Sequence, residues 1–164
     1  MLEWARAAVT IVRDYTANHL VEMLPFGSFD SNHLSLVRED DGAMDLYHGV
    51  LRAVDKDGGR IVDDVDYQHY LDVVSEEVRP WSYMKFPFLK DLGPERGWYR
   101  VGPLARLNTC DSIPTSEAET ARAEFKDLTK GKANNITMCY HWARMVEMLH
   151  SVEVIRELLE DPDL

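Results

Sequence analysis

Residues 80–114 constrain the fold most, because they carry neither a helical nor a strand period over a stretch too long to be left loose. Pro80, Pro87, Pro94, Pro103 and Pro114 recur through it, with Gly93, Gly97 and Gly102 between them and Trp81, Tyr83, Phe86, Phe88, Trp98 and Tyr99 interspersed. A loop of that length is uncommon in a compact domain unless it packs against something or carries function. The rest of the chain must therefore supply a framework for this segment to lie against.

The flanking sequence supplies helices. Ala5, Ala8, Val12, Tyr15, His19 and Met23 fall at helical spacing, so residues 1–24 read as a helix that Pro25 and Gly27 end. Residues 32–63 break into short apolar runs separated by Asp41-Gly42, His48-Gly49 and Asp57-Gly58-Gly59, which supply the positive φ of tight turns. A small antiparallel hairpin sheet follows. Residues 64–79 read as a second helix capped by Asp64 or Asp66 and stopped by Pro80, and residues 80–114 remain irregular. A third helix spans 115–130, opened by Ser116 and Glu119 as a capping box. The last spans 135–160, with Met138, Trp142, Met145, Leu149, Val152, Ile155 and Leu159 on one face and Tyr140, Arg144 and Glu147 opposite. The fold class is α+β, mainly long helices around a small antiparallel sheet, in one domain or fragment of 164 residues.

Composition excludes several function classes. A formal charge of −11 disfavours nucleic acid and anionic membranes as partners. No apolar run approaches the ~20 residues that cross a bilayer, and no signal peptide opens the chain, so the expected location is cytoplasmic. Cys110 and Cys139 stand far apart with no CxxC pair, so neither a zinc ribbon nor an iron–sulfur site can be built from them; they read as buried reduced thiols. The six histidines lack any paired metal-ligand spacing, Asp55-Lys-Asp57-Gly58 lacks the rest of a calcium loop, and no serine sits in a nucleophile elbow.

The most specific run is Trp98-Tyr-Arg-Val-Gly-Pro-Leu-Ala-Arg-Leu-Asn108. Gly102-Pro103 fixes a turn between Arg100 and Arg106, and arginine suits bidentate capture of carboxylates in a partly buried site. The same spacing also serves to pin a loop structurally. Arg144 and Glu147, at i and i+3, are placed to pair along the last helix, a contact of little worth if solvated and of more if buried.

YRVGPLARLN resembles the central motif of nickel–iron hydrogenase large (alpha) subunits. EEVRPWSYMKFPFLK is similar to the cytoplasmic, bidirectional branch linked to NAD or F420, as is the Tyr140-His-Trp-Ala-Arg144-Met-Val-Glu147 stretch, and GAMDLYHGVLRAVDKDG resembles the small sheet of the family. The resemblance implies motif positions at Arg100, Gly102, Pro103, Arg106, Asn108, Tyr140, Arg144 and Glu147, with structural roles, and no catalytic or metal-binding residue in this chain. The family's nickel and iron are held by two CxxC motifs, and neither is present here. The expectation is an internal scaffold piece of the large subunit, inactive alone and without a cofactor of its own. The nickel–iron centre would belong to the complete parent subunit, whose reaction is reversible hydrogen oxidation. Its partners would be an iron–sulfur small subunit together with the remaining parts of the large one, with homo-oligomers forming when the chain is isolated. The alternative is a free-standing interaction or assembly protein that kept the fold and lost catalysis.

Overall fold

The computed structural model describes residues 1–163. Helix α1 (Leu2–Met23) leads into strands β1 (Asn32–Val37), β2 (Val50–Val54) and β3 (Arg60–Asp66). A 3-10 turn at Tyr67–His69 and a single helical turn, α2 (Tyr70–Val73), run into β4 (Val74–Val78) and β5 (Lys85–Leu89). Then come α3 (Gly93–Arg96), β6 (Tyr99–Arg100), α4 (Pro103–Thr109), α5 (Ser116–Asp127) and α6 (Cys139–Glu160). The class is α+β.

The main sheet has the order β3-β2-β1-β6. β1 and β2 pair antiparallel, with Leu36 opposite Leu51, whereas β6 joins the other edge of β1 in parallel, with His33 opposite Arg100. The sheet is therefore not wholly antiparallel. Its fourth strand comes from the segment expected to be irregular, and Leu46-Tyr47, expected among the strands, lies in a turn. A separate two-stranded hairpin joins β4 to β5, with Glu76 opposite Pro87.

The helix expected over 64–79 is corrected. Asp66 does cap, its Oδ1 accepting from the Gln68 backbone N–H at 2.8 Å, but only a 3-10 turn and one helical turn follow. β-branched Val74 and Val78 favour extended backbone, and pairing with Lys85–Leu89 decides the contest. The segment 80–114 is likewise built, with β5 and α4 inside it. Gly102, at φ +81°, turns the chain, and Pro103 occupies the first helical position, where its missing N–H costs nothing.

The helices enclose the larger core. Leu104, Leu107, Phe125, Trp142 and Val146 pack at its centre, with the Phe125 and Trp142 rings edge to face at 5.4 Å. A smaller cluster of Leu34, Ala53, Val74 and Leu89 joins the sheet to the hairpin. On α1 the buried line is Ala5, Val9, Thr16 and Met23, so Ala5 and Met23 lie where expected, Val9 and Thr16 join them, and Tyr15 points outward. On α6 the buried residues include Cys139, Ala143, Val146, Glu147, His150 and Glu153 as well as Trp142 and Leu149. That helix is flanked by α1, α4 and α5, so a single apolar stripe does not describe it. Ile155 and Leu159, expected on the stripe, are exposed.

Candidate functional site

The motif residues collect where α4 crosses α6. Arg106 projects from the middle of α4 and makes a two-pronged ion pair with Glu147 of α6, Nε to Oε1 at 2.5 Å and Nη2 to Oε2 at 2.9 Å. The fork matches the planar carboxylate, and Glu147 is buried. Glu147 thus takes its partner from another helix and not from Arg144, which is exposed on the far side of α6. The i, i+3 reading of that pair is corrected: both residues lie on α6, yet the helix packs on Glu147 and leaves Arg144 to solvent.

Tyr140 closes the turn from above, its hydroxyl donating to the Val101 carbonyl at 2.9 Å. Its ring stands over Gly102, where an added Cβ would come within 3.7 Å. Burial raises the Tyr140 phenol above its ordinary range.

Asn108 anchors the end of α4 to the segment before α6. Its Nδ2 donates to the Asn134 carbonyl at 3.0 Å and its Oδ1 accepts from the Asn134 N–H at 2.8 Å, a reciprocal pair that satisfies buried backbone groups. Next to it Asn135 Oδ1 meets His33 Nε2 at 3.2 Å and the Ser31 N–H at 3.1 Å. His33 is fully buried. Burial pushes its pKa down to about 4, with the nearby Arg100 adding to the shift and the bond to Asn135 opposing it, so the ring is neutral at pH 7.

Arg100 differs from Arg106. It is buried, stacked on the Phe29 ring at 4.1 Å, and one nitrogen, Nη2, reaches the Gly27 carbonyl at 3.4 Å. Its Nη1 is buried without a hydrogen-bond partner. Desolvation lowers the Arg100 pKa from its ordinary value.

Two further groups escaped the sequence reading. Arg52 of β2 bonds Asp63 at 2.6 Å and Asp111 at 2.8 Å, and Arg60 bonds the same two carboxylates, tying the sheet to the loop after α4. Gly42 lies so close that a Cβ there would fall 2.2 Å from Asp111 Oδ2. Glu153, 1% exposed, caps α5 from α6 by accepting from the Glu117 and Ala118 N–H groups at 3.1 and 2.9 Å. The capping box expected from Ser116 and Glu119 is therefore replaced. Thr115 holds the cap position, and Glu119 accepts from Ile113 N–H and pairs with Arg122. The spacing of Glu153 among apolar residues of α6 was the one available signal.

The donor set does not suit a thiolate-held metal centre. Cys110 and Cys139 are free and buried, burial raising the Cys110 thiol to about 11 and the Cys139 thiol in the same direction. Among the described residues, no group of three or more His, Cys, Asp or Glu side chains is placed to hold a metal ion.

Comparison with known proteins then gives the context. The chain is 44% identical over all 164 of its residues to the NAD-reducing hydrogenase HoxS subunit beta of Cupriavidus necator, of which the match covers 33%. A crystal structure of NAD+-reducing [NiFe]-hydrogenase in the H2-reduced state superposes with a TM-score of 0.91 at 44% identity, over 99% of this chain and 36% of that one. The chain is related to hydrogenase subunits. It is also 37% identical over its full length to the A component of the vhu F420-non-reducing hydrogenase of Methanococcus voltae, covering 38% of that protein. A match of 36% over 140 residues reaches the iron-sulfur A component of the F420-non-reducing hydrogenase of Archaeoglobus profundus. No protein-family profile matches the chain. It spans about a third of the length of the curated relatives it matches.

These names correct the subunit expected from the motif. The resemblance pointed to a large, alpha subunit of a branch linked to NAD or F420. The relatives are instead named as a beta subunit or as A components, one of these an iron-sulfur component, and those named with F420 are non-reducing toward it. Matches to differently named subunits span the whole chain, motif included, so the motif marks hydrogenase ancestry and does not fix which subunit this is. The relatives are, by those names, parts of multi-subunit enzymes. No helix of the described residues is long and apolar enough to cross a membrane.

Proposed function

We propose that this chain forms a scaffold segment of a hydrogenase subunit of the NAD-reducing type, and that the hydrogen chemistry belongs to parts outside these 164 residues. The observation that carries the reading is the end-to-end match, in sequence and in fold, to a contiguous third of subunits that work inside hydrogenases. What the chain's own residues do is hold shape. The Arg106–Glu147 fork fixes α4 on α6, Asn108 fixes the loop before α6, and Glu153 fixes α5. A nickel–iron centre, for which the solved relative is named, would be held elsewhere, since Cys110 and Cys139 are isolated, buried and poorly ionised. An iron–sulfur partner, together with the remaining parts of the same subunit, would cover its exposed faces, in the cytoplasm.

Replacing the matching stretch of Cupriavidus necator HoxS subunit beta with this chain tests the reading. Assembly of the chimera and hydrogen-dependent NAD reduction are expected. A chimera that is made and folded but excluded from the complex would refute it.

A further inference from the structure

We propose that Arg100 is the seat for a side-chain carboxylate, aspartate or glutamate, of a polypeptide segment lying outside these 164 residues. The inference stands apart from the hydrogen chemistry of the relatives and holds for whichever segment covers this face.

The cation is desolvated yet has no anion among the described residues. Its residue is 8% exposed, Nη1 has no hydrogen-bond partner, and its polar contacts amount to the long 3.4 Å approach of Nη2 to the Gly27 carbonyl. A buried charge without a counter-ion is costly, and a carboxylate on the guanidinium edge is the usual remedy. The other arginine of the motif, Arg106, has that remedy from Glu147 within the chain. Arg100 lacks it although the chain carries eleven more acidic than basic residues.

The surroundings suit a polypeptide better than a hydrated ion. Phe29 and Trp98, 49% and 42% exposed, form an apolar rim beside the guanidinium, their rings 5.5 Å apart. Such a rim calls for apolar neighbours on either side of the carboxylate. The curated relatives extend well beyond the matched stretch, so covering chain is available. A carboxylate that draws Nη2 from the Gly27 carbonyl strands no acceptor. The Gly27 carbonyl also receives the Thr137 hydroxyl and keeps that donor when Arg100 turns away.

The test titrates the 164-residue chain with the peptides acetyl-Leu-Glu-Leu-amide and acetyl-Leu-Gln-Leu-amide, reading the Arg100 Nε–H and Trp98 indole N–H resonances. The glutamate peptide is expected to shift both at millimolar concentration, and its glutamine counterpart to bind roughly tenfold more weakly. Arg100→Lys should keep part of that charge preference and Arg100→Met should erase it, with the amide spectrum of each variant reporting that it folds. Equal binding of the two peptides, or no shift at Arg100, overturns the proposal. An equal response to sodium acetate overturns the polypeptide assignment.

Discussion

The crossing of α4 on α6 and the β4–β5 hairpin stand at opposite extremes of one molecule. At the crossing the motif's polar groups pair inside the chain: Arg106 with Glu147, Asn108 with Asn134, Tyr140 with Val101. On the hairpin Val74 and Leu89 join the sheet's core and Trp81 lies against Phe86 of the same hairpin, but the far end is largely uncovered. Val78, Trp81, Tyr83 and Met84 are 57 to 99% exposed, and the hairpin's polar contacts are surface pairs such as Lys85–Glu76. Two strands alone are marginal in water, and exposed apolar clusters mark surfaces that something else covers. The first region holds the chain to itself, whereas the second is shaped for what lies beyond it.

The comparison can be broken at its strong end first. Arg106→Ala strands the buried Glu147 carboxylate and should cost about 3 kcal/mol in urea unfolding, whereas Arg106→Met with Glu147→Leu should recover most of the loss. Acid should act on the same region with similar size. His33 titrates near 4 in the fold against 6.5 unfolded, so its contribution is intact above pH 6.5. It is lost as pH falls from 6.5 to 4, because the unfolded chain then binds the proton that the folded one refuses. The loss totals about 3 kcal/mol and levels off below pH 4, and His33→Gln should flatten that part of a stability–pH curve.

Asn108→Ala leaves buried Asn134 backbone groups unpaired and should cost about 2 kcal/mol, read as a lowered urea midpoint. Glu153→Ala removes the cap on α5 and should cost roughly 1 kcal/mol, with faster amide exchange at Glu117 and Ala118. At the weak end, Trp81→Ser with Tyr83→Ser should change stability by no more than about 0.5 kcal/mol while reducing self-association in light scattering. A large loss of stability there would mean that the hairpin belongs to the core after all.

How far the sequence reached follows the same division. The long helices were readable because periodic apolar residues declare a helix, although their faces were read only in part: that of α1 is rotated toward Val9 and Thr16, and α6 is enclosed on several sides by contacts that no local pattern records. The short elements were missed where tertiary pairing overrides local preference. Val74–Val78 becomes a strand only because Lys85–Leu89 lies beside it, and β6 exists only because β1 offers an edge. Pro103 after Gly102 could have been read as a helix start, since proline favours the first helical position. For the site, the Trp98–Asn108 run was legible as a motif, but its partners were not. Glu147 lies 41 positions from Arg106 and Asn134 lies 26 from Asn108, distances over which sequence periodicity carries no information. The subunit name was also out of reach, because the shared motif serves hydrogenase subunits that bear different names.

The central claim is that this chain shapes part of a hydrogenase and does not itself hold the metals. It is tested most directly by purifying the 164-residue chain from nickel-supplied cells and measuring nickel content together with hydrogen-dependent dye reduction. The account predicts nickel far below one atom per chain and no dye reduction under hydrogen. Stoichiometric nickel with hydrogen-dependent reduction would contradict it.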